Sequence, residues 1–419
     1  MGICSKELLY AGVIMLGAIQ FGFISIYPSP TGFYIRQDHG LTDTSIQWSL
    51  YNSITFLFAA IAPFITKFIL NKFNGKRRNT IFVIDIMGTV FWFLNCLTKI
   101  NIYAGICTRA LLGIVIGCYS SIISMYLVEI APEGLSGFYG SLNQIGVVIG
   151  QCLWSFIGPF LSYMEYNYFG GAVCAVQAVL IWFIPESPDA GNANEENEGI
   201  PILKVFQAKY ANGLIVGVVL MFIQQFCGIN GILTNLSDIM SQAGLDIDPN
   251  YQSGISIVSQ FISVFTGSLL IDKLGRRIVW IISSSICGVG LLLMALNEKF
   301  HWAAIFPLIC IFIYNLGFGL GLGPIPWFIV SQLFEADARP AANSVCVVTN
   351  WVFSFIIVMV FPEMRKSMGM FGALLLFFFV CIFSIIFGIF KVTDNNTNVD
   401  EDEASPGSEK SSDSHPSAL

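Results

Sequence analysis

Charged residues are scarce in this sequence. Asp, Glu, Lys and Arg together make up 11% of its 419 residues, whereas soluble globular domains contain about a quarter. A water-soluble fold of this length would need more charge to cover its surface, and the mean hydropathy is +0.72. The composition therefore excludes a cytosolic enzyme, a nucleic-acid-binding protein and a disordered chain, and it leaves a helical membrane protein.

Motifs for metals, disulfides and catalysis are also missing. The eleven Cys residues are scattered through apolar runs, with no CxxC pair and no Cys/His cluster. Such cysteines are typical of small buried apolar residues, so we expect neither a metal site nor a cofactor. No nucleophile–base set and no phosphate-binding loop is present, so the sequence does not indicate an enzyme.

Long apolar runs, by contrast, are abundant. A helix needs about 20 mostly apolar residues to cross the hydrocarbon core of a bilayer. The runs predict an all-α integral membrane protein with twelve such helices. Their expected ranges are 9–31, 46–69, 80–98, 102–126, 138–162, 167–184, 213–235, 252–271, 278–296, 302–330, 341–361 and 369–391.

Lys and Arg residues are distributed unequally between the two sides of these spans. With the N-terminus inside, fourteen of them fall on the cytoplasmic side and five outside, while Arg109 lies within a span. Because cytoplasmic loops of membrane proteins are rich in Lys and Arg, this bias predicts that both termini are cytoplasmic. We expect a plasma-membrane protein surrounded by lipid bilayer, with no nucleic-acid partner and with a monomer sufficient for function.

Two polar stretches divide the chain. Residues 186–199 separate two groups of six spans, and the residues after about 394 are acidic, Ser-rich and unable to bury a core. A basic loop occurs at 71–78 and again at 272–277, and repeated six-helix halves are typical of transporters that rock around a midplane site. The expected parts are a cytoplasmic N-terminus (1–8), an N-terminal half (9–184), a cytoplasmic linker (185–212), a C-terminal half (213–391) and a disordered acidic cytoplasmic tail (392–419).

Several short motifs occur together and in a fixed order. They are Gln20-Phe21-Gly22, Arg109 with Gly113, Glu129, Gln144, Pro185-Glu186-Ser187-Pro188, Gln224-Gln225 with Gly228-Ile229-Asn230, Gly275-Arg276-Arg277, Gly323-Pro324-Ile325-Pro326-Trp327, Arg339-Pro340-Ala341-Ala342 and Asn350-Trp351. With these motifs the chain resembles the sugar porters of the major facilitator superfamily, most closely the facilitative glucose transporters. The resemblance implies the major facilitator fold, two six-helix halves related by pseudo-two-fold symmetry, and transport by alternating access.

The polar residues within the predicted spans are mostly amides, which suit a neutral polyol. An amide carries donors and an acceptor in one group and so matches sugar hydroxyls, while Trp offers a flat apolar surface and one N–H. An anion carrier would need several cations in mid-span, and only Arg109 is there. Each amide could instead serve as a structural hydrogen bond between helices. By resemblance, the residues expected to contact the sugar are Gln144, Gln224, Gln225, Asn230, Gln260, Trp327 and Asn350, with Trp351 lining the cavity or its inner gate.

Two of the predicted helices contain residues that favour a break. On an unbroken helix Gln225 and Asn230 would lie roughly 140° apart, too far to face one small ligand. Gly228 and Gly231 flank Asn230 and could let the helix unwind there. The tenth helix has four Gly residues between 317 and 323, followed by Pro324 and Pro326, and we expect it to break and present Trp327.

A set of charged residues is expected near the cytoplasmic ends of the spans. By resemblance these residues clamp the two halves together when the carrier faces outward. Ser136 and Gln332 stand where the family usually has charged residues, so we expect the outward-facing state to be less favoured than in relatives. The expected clamp residues are Arg78, Glu129, Glu186, Asp272, Arg276, Arg277, Glu335 and Arg339.

The resemblance also bears on energy coupling. Proton-coupled sugar porters carry an Asp on helix 1, and this chain has Ile24 at that place. A charge deep in a span costs about 2.5–3.5 kcal/mol or more, so Arg109 is expected to stabilise the packing of the first half. We therefore expect facilitative uniport of a hexose, with D-glucose as the first candidate. Two alternatives stay open: a proton-coupled sugar or polyol symporter, and a non-transporting sugar sensor on the same scaffold.

Overall fold

The computed structural model describes residues 5–132, 135–188, 190, 201–335 and 338–392. Within these ranges all regular structure is helical. The first half contains α1 (Ser5–Ile26), α2 (Pro28–His39), α3 (Ile46–Ala59), α4 (Ala62–Lys72), α5 (Arg77–Leu94), α6 (Ile102–Glu129), α7 (Ser136–Ile157) and α8 (Tyr163–Leu180). The second half contains α9 (Ala211–Phe226), α10 (Ile229–Thr234), α11 (Leu236–Gln242), α12 (Pro249–Leu274), α13 (Arg276–Phe300), α14 (Phe306–Gly317), α15 (Ile325–Gln332) and α16 (Arg339–Lys391).

These helices supply the twelve predicted spans. Nine helical segments of the described chain are long and apolar enough to cross a bilayer, and α3 with α4 makes a tenth that is bent by 43°. The 53 residues of α16 form two spans, because Gly369 interrupts the helix with a φ of 72° and a ψ of 169°. The remaining span is α7, with 22 residues. The all-α, twelve-span architecture predicted from the sequence is confirmed.

The two halves meet along matching pairs of helices. Helix α3 of the first half packs against α16, and α7 packs against α12. Within the first half, α1 and α7 approach closely because Gly22 and Gly150 face each other's backbone, where an added Cβ would clash.

The bundle has two distinct ends. We call the end that carries the loop at 73–76 and Gly275 the basic end, because Lys72, Lys76 and Lys273 lie there. The other end carries α2 and α11, which contact each other across the halves, and we call it the opposite end. Part of the expected linker (189 and 191–200) and nearly all of the expected tail (393–419) lie outside the described residues.

Candidate functional site

A break in the helix that runs from α9 to α10 brings two predicted site residues together. Gly228 has a φ of 97°, a left-handed conformation that a side chain would strain, and an added Cβ would also meet the ring of Phe377. After the break, Asn230 Nδ2 donates to Gln225 Oε1 at 2.8 Å. The predicted unwinding is therefore confirmed at Gly228, whereas Gly231 lies inside α10.

Four amides and one hydroxyl form a continuous hydrogen-bonded network. Gln225 Nε2 donates to Asn350 Oδ1 at 3.1 Å, and Asn350 Nδ2 donates to Gln224 Oε1 at 2.6 Å. Asn230 Nδ2 also donates to Ser354 Oγ at 2.6 Å. The network joins α9 and α10 to α16, and every group in it can both donate and accept or switch partners. Such an amide surface can exchange its internal bonds for bonds to the hydroxyls of a neutral ligand.

The second broken helix is tied to this network. Helix α14 ends at Gly317, a π-helical turn covers Phe318–Leu322, and α15 begins at Ile325, so the predicted break is confirmed. A break frees backbone carbonyls that must find donors inside a membrane. Gln224 Nε2 supplies two such bonds, to the carbonyl oxygens of Leu322 at 3.1 Å and Gly323 at 2.6 Å.

Aromatic side chains from both halves meet beside the amides. The ring of Trp351 lies 5.7 Å from that of Phe21 on α1 and 6.1 Å from that of Phe56 on α3. Trp351 is buried, and its indole N–H has no hydrogen-bond partner among the described residues. It is therefore the predicted site residue that contacts the opposite half most directly.

The other predicted contact residues lie outside the hydrogen-bonded network in the described part of the chain. Gln260 on α12 is 2% exposed, and its Oε1 has no partner among the described residues. Gln260 packs against Gly319, where an added Cβ would press on the Gln260 backbone and side chain and on Ser263. Gln144 is half-buried on α7. Trp327 on α15 is 38% exposed, which places its ring at a surface.

Arg109 is fully buried on α6 among groups of the first half. Its Nη1 donates to the carbonyl of Ile24 at 3.1 Å, and its guanidinium lies over the rings of Tyr27 at 5.3 Å and Tyr51 at 5.8 Å. Ring faces and a carbonyl offset part of the cost of burying the cation. The contacts of Arg109 all lie within the first half, where the sequence places its role.

One buried ion pair described at the basic end lies within the first half. Glu129 accepts from Arg77 at 2.8 Å and also from the Ser187 hydroxyl, while Arg77 is 1% exposed. The expected clamp includes Arg78, and not Arg77, because two adjacent Arg residues cannot be told apart from their spacing. In the structure Arg77, and not Arg78, is the buried partner of Glu129.

The remaining predicted clamp residues are placed as follows. Arg78 lies 3.9 Å from Glu186, whose Oε1 also accepts from the Arg78 backbone N–H at 3.0 Å. Lys209 lies 2.7 Å from Glu335, and the hydrogen bond to that carboxylate raises the pKa of Lys209. Arg276 and Arg277 both have interaction partners, and Arg339 is exposed. The side chains of Asp272, Ser136 and Gln332 lie outside the described residues.

A polar cluster joins the halves at the opposite end. Arg36 Nη2 lies 2.8 Å from Asp238 Oδ1, and the two side chains are 11% and 19% exposed. The hydroxyls of Ser29 and Ser237 lie 2.9 Å apart. We call Arg36, Asp238, Ser29 and Ser237 the latch. Sequence reasoning missed it because its members are more than 200 residues apart, and the only signal was a lone charge at the end of each span.

Comparison with known proteins gives consistent results. The family model described as "Sugar (and other) transporter" matches residues 13–190 and 189–396. The Arabidopsis thaliana protein named Sugar transporter ERD6-like 6 is 27% identical over 90% of this chain and 85% of its own length. The Bombyx mori Facilitated trehalose transporter Tret1 is 27% identical over 93% of this chain and 84% of its own length.

A solved structure supports the fold. The partially occluded inward-open form of the xylose transporter XylE from E. coli superimposes with a TM-score of 0.78, covering 93% of this chain and 99% of that one. The sequence identity is 19%, so this likeness shows the fold alone.

Proposed function

We propose, on the premise that the chain belongs to the sugar porter family of the major facilitator superfamily, that it carries a hexose down its concentration gradient. Family membership makes the chain an integral multi-pass membrane transporter of sugars and not an enzyme. D-glucose is the first hexose to test. The similar proteins are named as transporters of trehalose and xylose, so the choice of a hexose for this chain is part of the proposal.

The observation that carries the proposal is the amide network of the second half. Its members are neutral and able to donate and accept, and all but the half-buried Asn230 are buried, which are the properties that recognition of sugar hydroxyls requires. Burial between helices also removes competing water and strengthens each hydrogen bond. The residues proposed to contact the sugar are Gln144, Gln224, Gln225, Asn230, Gln260, Trp327, Asn350 and Trp351.

Uniport is proposed from the surroundings of Arg109. The position that would carry an Asp in a proton-coupled relative holds Ile24, and it is the backbone carbonyl of Ile24 that accepts from Arg109. Among the described residues no carboxylate forms an ion pair with Arg109, so a proton-dependent pair is missing there. Without a coupled proton, the neutral sugar moves down its own concentration gradient.

Proton-coupled symport is the second candidate. A relative of known structure is described as a D-xylose–proton symporter. In this chain Asp85 is fully buried on α5 and accepts from the Tyr119 hydroxyl at 2.6 Å, while its Oδ2 has no partner among the described residues. A buried carboxyl group of this kind is the place where a transported proton would have to bind.

The protein is proposed to lie in the plasma membrane as a transport-competent monomer with both termini in the cytoplasm. The orientation of the termini is supported by the distribution of Lys and Arg, fourteen on the predicted cytoplasmic side and five on the other. The basic end of the bundle then faces the cytoplasm, and the latch faces outward.

Uptake by the purified protein in liposomes tests the proposal. Radiolabelled glucose, xylose, trehalose and inositol are offered with and without an imposed pH gradient, and protein-free liposomes serve as the control. We expect saturable glucose uptake that the pH gradient leaves unchanged. Uptake that requires the gradient would support symport instead, and transport of an ionic metabolite with no sugar would overturn both.

A further inference from the structure

Helix α3 lies between the two halves. One of its faces contacts its own half, and the adjacent face contacts the other half. On one side, the Thr55 hydroxyl donates to the carbonyl of Arg109 on α6 at 3.2 Å. On the other side, the ring of Phe56 stacks on Trp351 of α16. At about 100° per residue, Asn52 lies between these directions, roughly 60° from Thr55 and 40° from Phe56. Its side chain therefore leaves α3 toward the seam between α6 and α16.

Asn52 is unusual among the buried amides of the first half. It is fully buried, and neither Oδ1 nor Nδ2 has a hydrogen-bond partner among the described residues. Asn95, which is equally buried, donates to Asn167 at 2.8 Å and accepts from Thr108 at 2.9 Å. Because buried amides are normally paired, an amide with both groups unused needs an explanation, and a ligand that supplies the missing partners is one.

The depth of Asn52 in the bundle matches that of the amide network. Helices α3 and α16 are antiparallel where they touch, because Phe56 contacts Trp351 while the hydroxyl of Ser53, three residues earlier on α3, lies 3.4 Å from Met359 Sδ, eight residues later on α16. Asn52 is one residue farther from Phe56 than Ser53 is, so it lies level with Met359 or beyond it on α16. On that stretch of α16, Phe361 packs against Gly231, the neighbour of Asn230.

We propose that Asn52 is a sugar-binding residue of the first half, placed opposite the amides of the second half. A sugar hydroxyl would donate to Asn52 Oδ1 or accept from Nδ2, and the same sugar would be held by the Asn230 side of the network. This inference rests on the proposed function. It also explains how sugar binding can change the arrangement of the two halves relative to each other, because a ligand shifts a conformational equilibrium only if its contacts differ between the two states. A sugar held by both halves satisfies that condition.

Replacement of Asn52 by leucine separates a ligand-binding amide from a structural one. Leucine has nearly the same shape and no hydrogen-bonding groups, so the substitution removes the free-energy cost of burying an unpaired amide. For Asn52→Leu we expect the ligand-free thermal stability to be unchanged or higher, and the KM for hexose uptake to rise roughly five- to tenfold, the effect of one lost hydrogen bond. The matched control is Asn95→Leu, which removes a fully paired amide and should lower stability. Asn52→Ala, which adds no bulk, should show the same rise in KM.

Hexose analogues that each lack one hydroxyl identify the sugar hydroxyl that binds Asn52. The wild type should lose affinity for the analogue that lacks the hydroxyl bound by Asn52, whereas Asn52→Leu should bind that analogue as well as it binds hexose. An unchanged KM in both Asn52 variants, or a loss of stability as large as that of Asn95→Leu, would overturn the role of Asn52 and leave the proposed function standing. A wild type that moves no sugar would overturn both, and this is measured first.

Discussion

Two adjacent arginines at the basic end differ more in their surroundings than in their chemistry. Arg77 is 1% exposed, lies 2.8 Å from Glu129 and also donates to the carbonyl of Gly75. Arg78 is 28% exposed and lies 3.9 Å from Glu186. A buried pair leaves an uncompensated charge when one partner is removed, while an exposed pair exchanges its partner for water.

Arg77→Met should therefore destabilise the protein far more than Arg78→Met. We expect Arg77→Met to lower the free energy of unfolding by about 3–5 kcal/mol, because Glu129 loses its cation while remaining largely buried. Arg78→Met should cost less than about 1 kcal/mol. The measurement is thermal unfolding in detergent, followed by the loss of the monodisperse species, and similar losses in the two variants would contradict this assignment.

The amides show what residue patterns can and cannot predict. Gln224, Gln225, Asn230 and Asn350 were predicted from motifs, and they do lie in one network. Their partners could not be predicted, because the bonds from Gln224 go to backbone carbonyls that exist only where α14 ends. Asn52 carries no motif at all, and only its unpaired state in the folded chain distinguishes it.

At the scale of the element, the break between α9 and α10 depends on one residue. Gly228 adopts a φ of 97°, and an added Cβ would press on the ring of Phe377. Gly228→Ala should therefore destabilise the protein by about 1–3 kcal/mol, the cost of a strained non-glycine conformation. It should also raise the KM for hexose, because the break sets the distance between Gln225 and Asn230.

Gly12 provides the matched control for that prediction. It lies inside α1, and an added Cβ would meet nothing within 4 Å. Gly12→Ala should be neutral or stabilising by up to about 1 kcal/mol, since alanine is the better helix former. Thermal unfolding of both variants, together with hexose uptake, makes the comparison, and equal behaviour of the two alanine variants would show that the break does not depend on Gly228.

Helix breaks were only partly predictable for a physical reason. The junction between α9 and α10 has Gly228 and Gly231, and the junction between α14 and α15 has several Gly residues followed by Pro324, which point to a break. The predicted span 46–69 instead proved to be α3 and α4, bent by 43°. Pro63 is the signal that was overlooked there: it has no N–H to donate, and it lies in the first turn of α4, where that donor is not needed.

At the scale of the whole molecule, the contacts at the two ends differ. The latch crosses between the halves, while the Arg77–Glu129 ion pair described at the basic end stays within the first half. Contacts that cross between the halves at one end must break before the bundle can open there. The arrangement described here is closed at the latch, and a less favoured outward-facing state stays a prediction.

Removing the latch ion pair should shift the molecule toward opening at the opposite end. Arg36 is held by Asp238 and also lies 4.8 Å over the ring of Trp48, so Asp238→Ala removes the ion pair between the halves and leaves Arg36 with its own half. A hydrogen bond to a charged group contributes about 1.5–3 kcal/mol, so we expect the ratio of open to closed molecules to rise by at least roughly tenfold. Spin-label distances measured between the halves report the two populations.

The charge-exchanged double variant decides whether the ion pair itself is responsible. Arg36→Asp combined with Asp238→Arg places opposite charges at the same two positions, so it should return the distances toward those of the wild type, whereas either single reversal should favour the open form further by repulsion. Glu363→Ala is the control, since Glu363 lies 3.8 Å from Lys366 on the same helix, in an exposed pair that does not cross between the halves. If the distances in Asp238→Ala match those of the wild type and of Glu363→Ala, the Arg36–Asp238 ion pair has no part in gating, and the closed end is held by the other contacts between the halves, among them Ser29 with Ser237 and α7 with α12.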